Sequence, residues 1–379
     1  MTYHTDLAPS RRPWLIAAPL AIMLALSAAW TGLWFYASGE AEKRINAWQA
    51  QQAQAGRAFT CGSQTVGGYP FRIEVRCANA GAELRDTQPP LSIKLKEILV
   101  VAQVWAPTQL IAEFTGPLTA SDPGQAPSVT ATWDLAQASV RGTPSTPERA
   151  SVVIDGLKLS GPAPANQALF DAKRAELHAR VQFGSWPHNP AIDIAVKLAA
   201  AAAPAVHAMA AQPFDADILA VLHGVKDFAP NKPLPQRLRE WQAAGGRLNI
   251  QNARLAQAES LANATGALEL TQRGALHGTL QIAVVGIERL LPTIGGGSLG
   301  GQLSLERTAP ALNAIERAVP GLAQRITPPQ QQALQTGLLA LLGKPVDVEG
   351  KRGVSVLVKF DDGSASLGPI PLGKVPPAF

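Results

Sequence analysis

Cysteine is almost missing from this chain: only Cys61 and Cys77 occur in 379 residues. Two thiols exclude an all-cysteine zinc module, and no Cys-x-x-Cys pair is present for redox catalysis. The histidines (His4, His178, His188, His207, His223 and His277) form neither His-x-His nor His-Glu-x-x-His, so no metal site is expected. Charge is sparse too. Lys and Arg total 33 against 28 Asp and Glu, and no basic stripe with interleaved aromatics exists. That excludes the usual nucleic-acid footprint and leaves only a slight attraction to anionic headgroups.

Catalytic patterns are equally scarce. Gly343-Lys344 lacks the upstream glycine of a phosphate-binding loop. Gly295-Gly296-Gly297-Ser298-Leu299-Gly300 fits both Gly-x-Ser-x-Gly and Gly-x-Gly-x-x-Gly. Both chemistries need a strand before the motif and a helix after it. Here a helix-like 287–291 precedes and a strand-like 302–305 follows, so a glycine loop is expected. Carboxylates are scattered singly, and Asp361-Asp362 before Gly363 reads as a turn. The expectation is a protein without catalytic residues, cofactor or metal, and therefore not an enzyme.

What the chain does contain is one long apolar run. Residues 14–36 (WLIAAPLAIMLALSAAWTGLWFY) carry no charge. At about 1.5 Å per residue this makes a helix of roughly 34 Å, enough to cross a hydrocarbon core of about 30 Å. Arg11 and Arg12 precede it, and Trp30, Trp34, Phe35 and Tyr36 crowd its far end, where amphipathic rings suit a headgroup layer. Pro19 falls in the first turns, where a kink costs least. A cleaved signal peptide is the competing reading, through the two arginines and the small residues around Ala25-Leu26-Ser27. Against it, the run continues past the roughly 7–15 residues of a signal core, and no Cys stands nearby as a lipoprotein acceptor. An uncleaved single-pass anchor is expected, with 1–13 as a cytoplasmic tail. The flanking Lys/Arg counts are nearly tied and decide little about orientation.

The cysteines help more. They bracket Gly67-Gly68-Tyr69-Pro70-Phe71-Arg72, a strong turn signal. A reversal about Tyr69 pairs positions whose numbers sum to 138, which sets Cys61 opposite Cys77. Directly opposed Cβ atoms lie about 4.5–5.5 Å apart, close to what a disulfide needs. Phe59, Cys61, Phe71, Ile73, Val75 and Cys77 then share one face, and Arg72, Glu74 and Arg76 the other. A disulfide hairpin over 57–79 is expected, in an oxidising compartment outside the cytoplasm; two reduced core cysteines are the alternative. The turn has two readings. Either it seats the hairpin, with Phe71 in the core and Arg72 in solvent, or Tyr69, Phe71 and Arg72 form a contact edge close to the membrane. Tyr69–Pro70 is a candidate cis bond.

Beyond the hairpin, 33 Gly and 31 Pro favour many short strands over a helical bundle. Period-2 alternation recurs at 91–95, 129–135, 152–159, 175–183, 192–198, 247–255, 267–270, 276–285, 301–305 and 354–360. The run 214–225 fits a strand or a helix. Helices are expected at 40–55, 234–244, 310–319 and 329–342, and linkers at 121–128, 142–148 and 199–204. A soft boundary near 203–212 separates a first β-rich part, 37–203, from a second, 204–379. The expected fold class is mainly β (β-rich α+β): an N-terminal transmembrane helix, then curved antiparallel sheets with a few short helices.

The anchor, Trp48 and the Cys61…Gly67-Gly68-Tyr69-Pro70-Phe71-Arg72…Cys77 hairpin resemble an uncharacterised alphaproteobacterial family, the domain-of-unknown-function 2125 family. The resemblance runs on to Leu367-Gly368-Pro369-Ile370-Pro371-Leu372-Gly373. It implies a Gram-negative envelope protein and brings no activity. A less specific likeness links Gly246–Arg247–Leu248–Asn249–Ile250 and the units at 266–270 and 274–280 to AsmA-like envelope proteins. That likeness implies curved sheets enclosing an apolar groove for acyl chains. Two functions follow as expectations for a domain on the periplasmic side of the inner membrane. One is binding of lipid or lipid-like ligands in an apolar groove; the alternative is a non-catalytic interaction or scaffold module for envelope assembly. An open apolar concavity would favour the first and a closed, packed core the second.

Overall fold

The computed structural model describes residues 14–87, 89–142, 147–163, 165–186, 188, 190–206, 208–227, 232–286, 343–367 and 370–379. The expected glycine loop at 295–300, the strand at 301–305 and the helices at 310–319 and 329–342 lie outside the described residues.

Helix α1 (Trp14–Gln54) joins the apolar run and the expected 40–55 helix into one element of 41 residues. Its length and composition suit a membrane crossing. After it come β1 (Arg57–Gly67), β2 (Arg72–Leu84), β3 (Leu91–Gln103), β4 (Ala106–Ser121), β5 (Val129–Thr132) and β6 (Leu135–Arg141). The chain continues through β7 (Arg149–Ser160), β8 (Ala168–Val181), β9 (Ala191–Ala201), β10 (Phe214–His223), α2 (Leu234–Ala243), β11 (Arg247–Gln257), β12 (Ser260–Leu270) and β13 (Leu276–Val285). It closes with β14 (Lys344–Val348), β15 (Lys351–Asp361), β16 (Ser364–Leu367) and β17 (Ile370–Lys374). All of these strands belong to one antiparallel sheet. The protein is mainly β, as expected.

The sheet is a meander. Each strand pairs with its predecessor from β1 to β5 and from β6 to β13, with β5 and β6 lying end to end between β4 and β7; β15 follows β13, and β14 and β16 share the other side of β15. The ambiguous 214–225 run is strand β10. Residues 199–201, expected in a linker, belong to β9 instead, because the β8 and β10 backbones hold them in place. The β9–β10 ladder also carries the sheet without a break from the first β-rich part into the second.

A line of irregular positions crosses the first nine strands. Gly62 and Asn79 drop out of the β1–β2 ladder, and Lys96 drops out of β2–β3. Next come the cis Gly116–Pro117 bond, the break between β5 and β6 at Trp133-Asp134, Gly156 opposite Lys173, and Ala200. Asn79, Gly156 and Ala200 all have positive φ (50°, 64° and 46°). A residue turned out of the ladder shifts the side-chain phase of its strand, and where facing residues drop out together both strands shift in step and the register is kept. The apolar residues of β3 accordingly run Leu91, Ile93, Leu95 and then Ile98, Val100, Ala102. Those of β8 run Phe170, Ala172 and then Ala175, Leu177, Ala179. The spacing lengthens from two to three at the crease. Leu95 and Ala172 are buried beside it while Lys96 and Lys173 are exposed, so the apolar set stays on one face.

Among the described residues, little of this sheet has a second layer over it. A small core of Leu261, Val285 and Val348 sits near the β13–β15 end, and no large side chain among the described residues is fully buried.

Candidate functional site

Two features stand out: the junction of α1 with the first turn, and the apolar face of the sheet. At the junction, the Trp30 indole N–H donates to the Pro70 carbonyl (2.9 Å) and that of Trp34 to the Arg72 carbonyl (2.8 Å). Thr31 Oγ1 and the Tyr69 hydroxyl are 2.8 Å apart. Trp34 is buried against the turn, Trp30 is half-buried, and Tyr36 is exposed. Tyr69 meets the Trp34 ring edge-on at 5.5 Å. Further along α1, Trp48 stacks on Phe59 at 4.8 Å, so the helix lies along β1, which has no second strand partner among the described residues. Covering an edge in this way removes a site of unwanted strand pairing.

The turn is wider than a reversal about Tyr69. Gly68 (φ 97°) accepts from the Arg72 N–H at 3.1 Å, and a Cβ at Gly68 would lie 2.7 Å from the Arg72 carbonyl oxygen. Only glycine fits there. Gly67 lies opposite Glu74, and Tyr69–Pro70 is cis. The register is therefore corrected: Cys61 lies opposite Ala80 and Cys77 opposite Gln64. The disulfide nevertheless forms, with Cα atoms 5.4 Å apart. A regular three-residue offset would add about 10 Å along the strand; the kink at Asn79 takes it up. Phe71 is also corrected. It sits in the turn, 59% exposed, because the wider reversal leaves it outside the ladder, while Arg72 is exposed and paired with Glu74.

On the sheet, one cross-strand row begins at Val66 and passes through Val75, Val100, Ala112, Ala138 and Val152. It continues through Leu177, Val196, Ile218, Ala253, Ala264 and Ile282 to Val356. Every member is aliphatic. At about 4.8 Å per strand the row measures roughly 60 Å along the sheet. Only Val356 is buried, and Val152 and Leu177 are 36% and 46% exposed. The row from Ile73 to Val358, two residues along each strand and three along β11 where its register shifts, is equally free of polar side chains.

The opposite face is polar. Arg76, Glu113, Gln137, Glu176, Lys197, Asp217 and Arg254 occupy one row there, with a few aliphatics between them. Hydrogen bonds from Arg174 and then His178 hold the Glu176 carboxyl down to about 2. Gln182 and Arg180 lower Asp193 in the same way.

Near the sheet end that carries the β10–β11 connection, α2 leans over the apolar face. A cavity of ≈ 500 Å³ lies beneath it, lined by the row Ile192, Leu222, Leu248 and Leu268 and by Leu238 and Trp241 of the helix. Trp241 donates to the His223 carbonyl at 2.6 Å. A Cβ on Gly246 would come within 2.3 Å of its ring, so the glycine makes room for the indole. Lys232 bridges Asp227 (2.6 Å) and Glu240 (2.7 Å), and these two acids raise its pKa. Alternation in single strands signals an apolar face, but not that the faces align over thirteen strands. That alignment depends on register and on the crease.

These features define a single-sheet β protein preceded by one helix with the dimensions of a membrane span. The chain belongs to the family of uncharacterized proteins conserved in bacteria known as domain of unknown function 2125, whose sequence model matches residues 34–376. No curated protein matches the chain.

Proposed function

We propose that this protein is an inner-membrane anchored, non-catalytic envelope protein whose sheet domain stands on the periplasmic side and holds the acyl chains of a lipid. The observation that carries this reading is the unbroken aliphatic row from Val66 to Val356, in which Val152 and Leu177 are exposed and every other member except the buried Val356 is half-buried. An ordinary protein surface exposes apolar patches of only a few hundred Å². Water tolerates such a strip poorly, and acyl chains match it without any specific polar contact. A scaffold module would be expected to pack this face under a second layer. The paired cysteines support an oxidising compartment, and α1 supports anchoring.

Native mass spectrometry of the full chain extracted from membranes tests the reading. The parent should carry lipid mass in excess of a Val152→Lys/Leu177→Lys variant, since lipids bound around α1 are common to both. Equal lipid content in the two, with the variant folded, would refute the reading.

A further inference from the structure

Strand direction gives the sheet two ends. At one lie the turns 67–72, 103–106 and 181–191 and the β10–β11 connection with α2; at the other lie 84–91, 121–129, 160–168 and 257–260. We infer that the first end rests in the interfacial layer of the bilayer that holds α1, with Tyr69, Phe71, Trp105 and Phe183 inserted into it.

Three observations carry this. The first turn is fastened to α1 at Trp30, Thr31 and Trp34, within the apolar run and not beyond it. Trp30 lies six residues before Tyr36, the last residue of that run, which is about 9 Å along the helix. A span that places Tyr36 at the membrane surface therefore places Tyr69 and Pro70 at headgroup depth. Second, the exposed aromatics among the described residues outside α1 are Tyr69, Phe71, Trp105 and Phe183. All four lie at this end, and the described turns of the opposite end hold none. Single exposed apolar residues are ordinary; four rings gathered at the anchored end follow the pattern of a membrane-interface belt. Third, the rings connect. Phe35 and Trp34 reach Tyr69 at 6.4 and 5.5 Å, and Phe71 reaches Trp105 at 6.2 Å. The aromatic collar of the helix thus extends onto the sheet. The aliphatic face begins at this same end, with Ile73, Ala102 and Leu110, so an acyl chain would pass from bilayer to sheet without crossing water.

The inference rests on the anchoring part of the proposed function and is independent of lipid occupancy. With Cys61 and Cys77 paired, one introduced cysteine is the single free thiol. An environment-sensitive fluorophore is attached at Leu24→Cys, Trp105→Cys, Phe183→Cys or Gln125→Cys in the full chain. Each protein is reconstituted in phosphatidylethanolamine–phosphatidylglycerol vesicles with and without lipids spin-labelled near the headgroup or deep in the chain. Positions 105 and 183 should show blue-shifted emission and loss of fluorescence to the headgroup-proximal label. Position 24 should respond to the deep label, and position 125, at the opposite end, to neither. Quenching at 24 with 105 and 183 no more responsive than 125 would overturn the membrane-seated end and leave the anchor standing. Absence of quenching at 24 would overturn the anchor and the inference together.

Discussion

The indole N–H of Trp34 donates to the main-chain carbonyl of Arg72 at 2.8 Å, tying the end of the apolar helix to the first turn of the sheet. Trp34 is buried, so its partner carbonyl cannot easily find water instead. Trp34→Phe, which keeps most of the ring and loses the donor, should cost about 1 kcal/mol. Trp34→Ala should cost about 3–5 kcal/mol. Chemical unfolding in detergent micelles measures both; a Trp34→Phe variant as stable as the parent would mean that the hydrogen bond contributes nothing beyond packing.

The Cys61–Cys77 bridge closes a separation of 16 residues, and a loop of that size is worth about 3 kcal/mol in the chain-entropy account. Cys61→Ala and Cys77→Ala should lower the melting temperature to similar extents, because either removes the same crosslink. Thiol labelling after denaturation without reductant should find no reactive group in the parent. Two labelled thiols would show that the bridge does not form.

Gly156 holds the crease where it passes from β6 to β7. Its φ is 64°, and a Cβ there would lie 2.2 Å from Asp134 Oδ2. Gly156→Ala should destabilise by about 2 kcal/mol, from left-handed strain and displacement of the carboxylate together. Combining it with Asp134→Ala should recover only the second part. Denaturant midpoints for the two single variants and the pair give the answer; full recovery would show that the backbone conformation costs nothing.

Glu176 ionises at about 2 in the folded protein, against an ordinary 4.5, chiefly through the Arg174 hydrogen bond and then that of His178. Because the folded value is the lower one, its stabilising contribution is complete above about pH 4.5 and fades as the pH falls toward 2. The group lies on the surface, so the effect should stay below about 1 kcal/mol. Glu176→Gln should therefore unfold slightly more easily at pH 7, with the gap closing near pH 2. Urea midpoints across that range would show a constant gap if the ion pairing were irrelevant.

The sequence carried the class of fold and most of its elements. The period-2 runs within the described residues became strands, and the periodic Leu234, Leu238 and Trp241 became α2. Two things were not legible, for identifiable reasons. The hairpin register hung on where the chain reverses, and the Gly68–Arg72 closure shifts that centre toward the C-terminus, so the cysteines meet across an irregular step. The continuous aliphatic face is a property of twelve ladders at once. Each strand shows only that it has an apolar side; the sum depends on irregular positions such as Asn79 and Gly156, which bring successive phases onto one side. The three-residue steps from Leu95 to Ile98 and from Ala172 to Ala175 were the visible trace of that crease.

If the aliphatic face takes up lipid, photocrosslinking at that face should capture it. A photoreactive phenylalanine analogue replaces Leu177 or Val152 on the apolar face, or Lys197 or Glu113 on the polar one, in the full chain within growing cells. After irradiation, mass spectrometry of the purified protein looks for lipid adducts at those sites. Adducts at 177 and 152 and none at 197 or 113 are predicted. Equal labelling of both faces, or no lipid adduct at 177 and 152, would show that the aliphatic face does not hold lipid.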